Sequence, residues 1–138
     1  MRRSFTIAPV GYVAKSGGRT FIEIEEAYTD ALLGLEQYSH LIMCFWFHQQ
    51  DTPERRVCLQ VHPRRNKANP LTGVFATRSP RRPNLLGLCV CRIESIHGNA
   101  IRIDETDALD GSPVIDIKPY IPRIDSVSDA QVPSWVNR

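Results

Sequence analysis

The sequence predicts an all-β fold, a single small β-barrel with one short helix. Short apolar or alternating runs separated by turn residues dominate the chain, as is typical of strands. The length of 138 residues is that of one domain. Strands and helices do not alternate, and no GxGxxG motif is present, so a Rossmann nucleotide site is not expected. We expect one domain over residues 1–138, with a core from about 5 to 122 and a tail at 123–138 that Trp135 anchors.

The composition permits a normal globular core, because 42% of the residues are hydrophobic and 23% are charged. The formal net charge is +2 and the isoelectric point about 8.4. This balance is too mild to indicate a nucleic-acid partner by itself, so any basic site must be local.

The first two predicted strands differ in quality. Residues 5–13 favour a strand that Pro9 interrupts, as at an edge or bulge. Residues 20–26 alternate, but Phe21 shares a face with two glutamates. The second strand is therefore expected to be half-exposed.

One helix and one strongly apolar strand follow. Residues 29–38 predict the helix, which Thr29 or Asp30 caps and Gly34 keeps short. Residues 39–48 form a nearly continuous apolar run, which predicts a strand buried on both faces.

The middle of the chain predicts two strands around a basic loop. Residues 55–63 and 71–77 are the strands, and residues 64–70 are the loop. Within the second of these, Gly73 to Thr77 is predicted to be buried and to lead into an arginine-rich loop.

The last part predicts three strands and two turns. Residues 85–98 favour a long strand, and residues 97–99 a hairpin turn in which glycine and asparagine accept positive φ. Residues 100–106 return antiparallel. A carboxylate-rich turn at 107–113 then leads to the last strand, residues 114–122.

Cysteine usage and hydropathy favour a reduced, cytoplasmic protein. No stretch is long and apolar enough to span a bilayer, and no export signal is recognisable. Cys89 and Cys91 are two residues apart on a predicted strand, so both thiols face one side. They are interpreted as core thiols, and no spacing suggests a metal site.

The loop that follows Thr77, residues 78–84, contains three arginines and is called the arginine loop. It has two interpretations. Pro80 and Pro83 stiffen it, so little conformational entropy is lost when it binds a ligand. Arg78 would then clamp an anion of a small ligand, while Arg81 and Arg82 contact phosphates. The alternative is a solvated loop without a ligand, and composition alone does not decide between them.

Acidic residues and one histidine are the other candidates for chemistry. Asp107 and Asp110 flank a tight turn, where they either serve the turn or accept hydrogen bonds from ribose hydroxyls or an amine. Asp116 lies mid-strand and is expected to pair internally with Lys118. His48 ends an apolar strand, where a buried imidazole usually satisfies a backbone group.

Three long segments read GLEQYSHLIMCFWFHQ, then GVFATRSPRRPN followed by GL, then DALDGSPVIDIKPYIP. They resemble the signature blocks of the TsaA-like proteins, whose characterised members are the TrmO-type tRNA methyltransferases. The resemblance covers about Val10 to Pro122. It implies a homodimeric all-β barrel that binds S-adenosylmethionine at its rim. The implied reaction is N6-methylation of N6-threonylcarbamoyladenosine at position 37 of tRNA, next to the anticodon.

The resemblance also assigns site residues. Cofactor contacts carry over to His48, Gln49, Arg78, Leu88, Asp107, Ala108, Leu109 and Asp110. Contacts to anticodon-arm phosphates are expected from Arg81 and Arg82 and from the loop cations Arg64, Arg65 and Lys67. The catalytic base stays unassigned between His48 and Asp116.

The sequence departs from the family pattern in two places. Many members have a longer loop after the first strand with a cofactor contact, which is either missing here or replaced by Lys15. Leu85 stands where the family usually has a second proline. Two other functions stay open: a nucleic-acid-binding barrel without chemistry, and a sensor that binds S-adenosylmethionine without methyl transfer.

Overall fold

The computed structural model of the protein describes residues 2–137. Eight strands form a closed six-stranded barrel and a separate two-stranded sheet. The strands are β1 Gly11–Ser16, β2 Arg19–Ile24, β3 His40–Trp46, β4 Gln60–Val61, β5 Thr72–Gly73, β6 Leu86–His97, β7 Ala100–Ile103 and β8 Pro113–Pro119. The order around the barrel is β1-β2-β7-β6-β3-β8, and all neighbours are antiparallel. The predicted all-β barrel is confirmed.

Helical structure is brief. Two α-helices have four residues each, α1 Pro53–Arg56 and α2 Pro122–Asp125. The other helical segments are 3₁₀ turns, namely Glu26–Leu32, Leu35–Gln37, His48–Gln50, Pro63–Arg65, Val74–Ala76 and Ser134–Asn137. Among residues 2–137, no helix has both the length and the apolar character that crossing a membrane requires.

The core fills the barrel interior with side chains from alternate strand positions. Its buried apolar members are Val13, Ile22, Ile24, Leu41, Met43, Phe45, Cys91, Ile101, Ile103, Ala108 and Val114. β3 buries only one face fully, since Ile42, Cys44 and Trp46 on its other face are half-buried. The expectation that this strand is buried on both faces is therefore wrong.

Two predictions near the N-terminus need correction. The first strand begins at Gly11, so most of the predicted span 5–13 has no regular structure. The predicted helix at 29–38 is two 3₁₀ turns, and neither receives a side-chain cap. Gly34 separates the turns with a φ of +92°, a value that an L side chain rarely adopts.

The predicted strands at 55–63 and 71–77 are also wrong in extent. Both belong to an excursion between β3 and β6, residues 52–85, which we call the basic arm. Its only strand residues are the short β4–β5 pair, while α1 opens the arm. Val74 is buried as predicted, but it lies in a 3₁₀ turn, and Phe75 beside it is 83% exposed.

The predicted hairpin turn between β6 and β7 is confirmed, with a φ of +60° at Gly98, whereas Asn99 does not take the expected positive φ. In the tail, Trp135 is half-buried, and the Val136 carbonyl accepts a hydrogen bond from Nη2 of Arg64. The tail is thereby attached to the basic arm.

Candidate functional site

One end of the barrel collects the segments that the sequence singles out. Because all barrel neighbours are antiparallel, β1, β3 and β7 end where β2, β6 and β8 begin. The 48–50 turn after β3, the start of β6 and residues 104–112 between β7 and β8 all lie at this end. We call it the rim.

Residues 104–112 are fastened to β6. The backbone N–H of Arg92 donates to Oδ1 of Asp104 at 2.9 Å, and the Thr106 hydroxyl donates to the Cys89 sulfur at 3.3 Å. Ala108 is 1% exposed and packs into the core. The segment therefore runs along the upper part of β6 and covers the end of the barrel.

The same segment is fastened to β1 on its other side. The Gly111 N–H donates to the Val13 carbonyl at 2.7 Å. The backbone N–H of Lys15 donates to Oδ1 of Asp110 at 2.8 Å, and its Nζ donates to the Thr106 carbonyl at 3.0 Å. One oxygen of Asp110 thus holds the turn, and the Lys15 ammonium stabilises the segment.

The turn after β3 is positioned by the start of β6. The Phe47 N–H donates to the Leu85 carbonyl at 2.8 Å. A Cβ on Gly87 would lie 2.7 Å from ring atoms of both Phe45 and Phe47, which stack edge-to-face at 5.3 Å. Only glycine lets these rings pack here. His48 directly follows Phe47 in the sequence, so the ring packing also positions the turn that His48 starts.

The arginine loop is stiffened by its own hydrogen bonds as well as by its prolines. Nη1 of Arg82 donates to the carbonyls of Thr77 at 3.2 Å and Ser79 at 3.0 Å. The Arg81 N–H donates to Oγ of Ser79 at 3.2 Å. The Arg82 guanidinium therefore stabilises the loop itself through these two carbonyls, whereas the sequence predicts that it contacts phosphates.

Arg78 and Arg81 differ from Arg82. Both are exposed, and within residues 2–137 neither guanidinium has a hydrogen bond or an ion pair. Their donors are available to an anion. Arg78 follows a 3₁₀ turn rather than the end of a sheet strand, so the turn fixes its backbone.

The Asp116–Lys118 pair forms, but outside the core. Nζ of Lys118 lies 3.4 Å from Oδ2 of Asp116, and the two side chains are 74% and 55% exposed. The predicted pairing is correct and the predicted internal location is wrong. His48, by contrast, lies half-buried in the turn at the rim.

The cysteines are free, and two have raised pKa values. Burial, together with neighbouring Cys89, raises the pKa of Cys91, and burial with nearby Asp116 raises that of Cys44. Both thiols are therefore kept protonated. In the described part of the chain, no group of three or more His, Cys, Asp or Glu side chains is placed to hold a metal ion.

Two shallow hollows adjoin the rim on the side of the β1–β2 turn. One of about 370 Å³ is lined by the turn residues and by Glu105 and Thr106, and another of about 300 Å³ by Arg19, Arg102 and their neighbours. Lys15, the candidate replacement for the family's loop contact, lines the first hollow, whereas the other residues assigned from the family resemblance line neither. Asp107, Leu109 and Leu88 are instead exposed, so they present an open surface in one chain.

Sequence reasoning missed Thr106, which links the carboxylate turn to β6. Its hydroxyl also accepts from the Ala108 N–H at 3.2 Å. A hydroxyl residue just before an acidic turn was the available signal, but only the fold reveals Cys89 as its partner.

Comparison with known proteins places these segments in a family. Residues 6–126 match the model of the tRNA-methyltransferase O N-terminal domain. A probable S-adenosyl-L-methionine-binding protein of Pyrococcus horikoshii is 49% identical over 122 residues, 88% of this chain and 87% of that protein. A tRNA (adenine(37)-N6)-methyltransferase of Homo sapiens is 44% identical over 103 residues, 75% of this chain and 23% of the human protein.

Solved structures agree. The crystal structure of TrmO from Pseudomonas aeruginosa superposes with a TM-score of 0.76 at 31% identity, covering 98% of this chain. This chain spans 63% of that TrmO chain. The similarity therefore extends through the barrel and the basic arm.

Proposed function

Since this chain belongs to the tRNA-methyltransferase O N-terminal domain family, we propose that it transfers a methyl group from S-adenosylmethionine to N6 of adenine 37 in tRNA. The family match carries the proposal, because it spans residues 6–126 and so includes every rim segment. The human relative is a tRNA (adenine(37)-N6)-methyltransferase, which supports the same reaction. The substrate base is proposed to be N6-threonylcarbamoyladenosine, reached in the anticodon arm, and the location to be the cytoplasm.

The rim residues fit the chemistry of the cofactor. The exposed Arg78 guanidinium suits the methionine carboxylate. The Asp107 carboxylate and the second oxygen of Asp110 suit ribose hydroxyls or the methionine amine. Leu88 and Leu109 are 57% and 49% exposed and offer apolar contact to a nucleobase. Each class of group on the ligand therefore has a complementary group on the rim or on the arginine loop.

When bound, S-adenosylmethionine supplies a methyl group made electrophilic by its sulfonium. The task of the protein is then to align the cofactor with N6 of the substrate and to hold the proton that this nitrogen loses. Of the two candidate bases, Asp116 is engaged by Lys118, whereas His48 is at the rim. Arg81 and the loop cations Arg64, Arg65 and Lys67 are proposed to attract the tRNA phosphates.

A homodimer is part of the proposal. Leu86, Leu88 and Val90 on β6 are 38%, 57% and 53% exposed and lie beside Ile42, Cys44 and Trp46 of β3. A continuous apolar face of this kind favours cover by a second copy. Such a copy would turn the open rim surface around Leu88 into an enclosed one.

The test combines calorimetry with S-adenosylmethionine and mass spectrometry of nucleosides from tRNA incubated with the protein. We expect saturable binding, a methylated product at adenosine 37, and loss of binding in Arg78→Ala. Arg123→Ala, an exposed arginine on α2, is the matched control and should bind normally. Unmethylated tRNA, with protein and cofactor at saturating concentration, would reject the proposed reaction.

A second function has its own support. The Pyrococcus relative, described as a probable S-adenosyl-L-methionine-binding protein, is close to this chain in length, whereas the human methyltransferase is far longer. A binding protein without methyl transfer would bind the cofactor in calorimetry and leave every tRNA unmethylated. The same two measurements therefore separate the alternatives.

A further inference from the structure

Helix α1, which the sequence predicts to be part of a strand, contacts both the turn after β3 and the arginine loop. Its two arginines, Arg55 and Arg56, are half-buried. The turn and the loop carry Gln49 and Arg78, two of the proposed cofactor contacts. This arrangement raises the question of what the helix does for the site.

The helix is short but well fixed at its start. Pro53 occupies its first position, and the Thr52 hydroxyl accepts from the Arg55 N–H at 3.4 Å. The Thr52 N–H donates to the Gln50 carbonyl at 2.9 Å. The helix is therefore attached directly to the 48–50 turn.

Arg55 strengthens this attachment. Its Nη1 donates to the Gln49 carbonyl at 3.2 Å. The contact fixes the backbone of Gln49 and leaves the Gln49 side chain to a ligand.

Arg56 reaches across to the arginine loop. Its Nε donates to the Pro83 carbonyl at 3.0 Å, and its Nη1 lies 3.3 Å from Oδ1 of Asp51. The guanidinium carbon lies 5.6 Å from the centre of the Trp46 ring, whose Nε1 donates to Oδ2 of Asp51 at 3.4 Å. One planar group thus joins the end of β3, the turn after it and the arginine loop.

We propose that α1 acts as a clip, by which we mean that it holds the arginine loop against the 48–50 turn. Arg56 is its positioning residue, and the arrangement that Arg56 fixes sets the affinity for the cofactor. The inference rests on the proposed function for the identity of the ligand. The Arg56 side chain reaches the Pro83 carbonyl, 27 residues further along the chain, and so holds the arginine loop and the 48–50 turn in one arrangement. A site assembled before binding loses less conformational entropy when the ligand arrives.

The fork geometry of arginine makes the proposal testable by a conservative change. Lysine keeps the positive charge beside Asp51 but cannot donate to Pro83 and Asp51 while stacking on Trp46. Arg56→Lys should therefore fold normally and lose the link to the arginine loop. A merely electrostatic role would leave the affinity of this variant for S-adenosylmethionine unchanged.

The experiment uses the full chain in three forms: wild type, Arg56→Lys, and Arg123→Lys as the matched control on the other proline-initiated helix, α2. We expect the Kd for S-adenosylmethionine to rise about tenfold in Arg56→Lys only. The KM for the cofactor should rise with kcat almost unchanged, and amide exchange in residues 77–85 should be several-fold faster.

Unchanged affinity and unchanged exchange in a folded Arg56→Lys would overturn the clip, as would an equal effect in Arg123→Lys. If Arg56→Lys fails to fold, Asp51→Asn replaces it, since this change removes the ion pair and keeps an acceptor for Trp46. If the wild type binds no S-adenosylmethionine, the proposed function falls, and the exchange rates alone then decide whether the clip exists.

Discussion

At the scale of single residues, Gly87 shows how a missing side chain positions the site. Its Cβ position is occupied by the rings of Phe45 and Phe47, which are already packed against each other. Phe47 directly precedes His48, so the ring packing determines where the rim turn begins. A change at Gly87 should thus be felt in both the core and the turn.

We expect Gly87→Ala to lower the free energy of unfolding by about 1–3 kcal/mol, because the added methyl overpacks a filled interior. Urea denaturation followed by fluorescence measures the loss. Gly73→Ala is the control, since its new methyl would meet no atom closer than 3.9 Å and its φ is not in the left-handed region. Equal stability of the two variants would show that the rings yield without cost.

At the scale of elements, residues 104–112 act as one segment held between β6 and β1. Thr106 is central, because it donates to Cys89 and accepts from Ala108, while its carbonyl takes the Lys15 ammonium. Removing the hydroxyl leaves the Lys15 contact and the Asp104–Arg92 contact intact but removes the link from Thr106 to Cys89 of β6.

Thr106→Val should cost about 1 kcal/mol of stability, the net value of a typical hydrogen bond, and should speed amide exchange at Ala108. Exchange followed by nuclear magnetic resonance resolves this amide. Thr72→Val in the basic arm is the control, because its hydroxyl donates only to the nearby Pro70 carbonyl. Protection of Ala108 equal to that of the wild type would mean that the remaining contacts to β1 and to Arg92 hold the segment without Thr106.

How far the sequence predicted each element depended on its environment. The regular alternation of side chains along residues 20–26 predicted β2, and Gly98 predicted the hairpin turn. Both signals are local in the sequence. Residues 55–63 alternate as well, yet Pro53 and the Thr52 cap favour a helix, and the strand pattern had no barrel partner to complete it. The family resemblance named site residues, whereas Arg56 was missed because its three partners, Asp51, Trp46 and Pro83, come together only in the fold.

At the scale of the whole molecule, charge is strongly divided. The basic arm, residues 52–85, contains eight Lys or Arg residues and one acidic residue. The other 104 residues contain nine basic and fourteen acidic residues. A mild net charge of +2 therefore conceals an arm of +7 beside a remainder of −5, which should orient a polyanion toward the arm.

Binding of tRNA should accordingly weaken steeply with salt, and Arg81→Ala should reduce the slope of log K against log salt concentration by about one phosphate contact. Arg19→Ala, an exposed arginine of the barrel, should leave the slope unchanged. Fluorescence anisotropy at several salt concentrations measures both. Equal losses in the two variants would contradict a role specific to the arm.

The seam between β1 and β8 has a consequence for how the molecule assembles and opens. It joins Gly11 to Val114 and Tyr12 to Pro113, partners about a hundred positions apart, through a short stretch of pairing. Forming contacts between residues this distant in sequence has a high entropic cost. The β1–β8 pairing is therefore expected to form late in folding and to open first in local unfolding. Asp110 and Gly111 lie beside this seam, so a nucleotide bound there would stabilise the shortest strand pairing of the barrel.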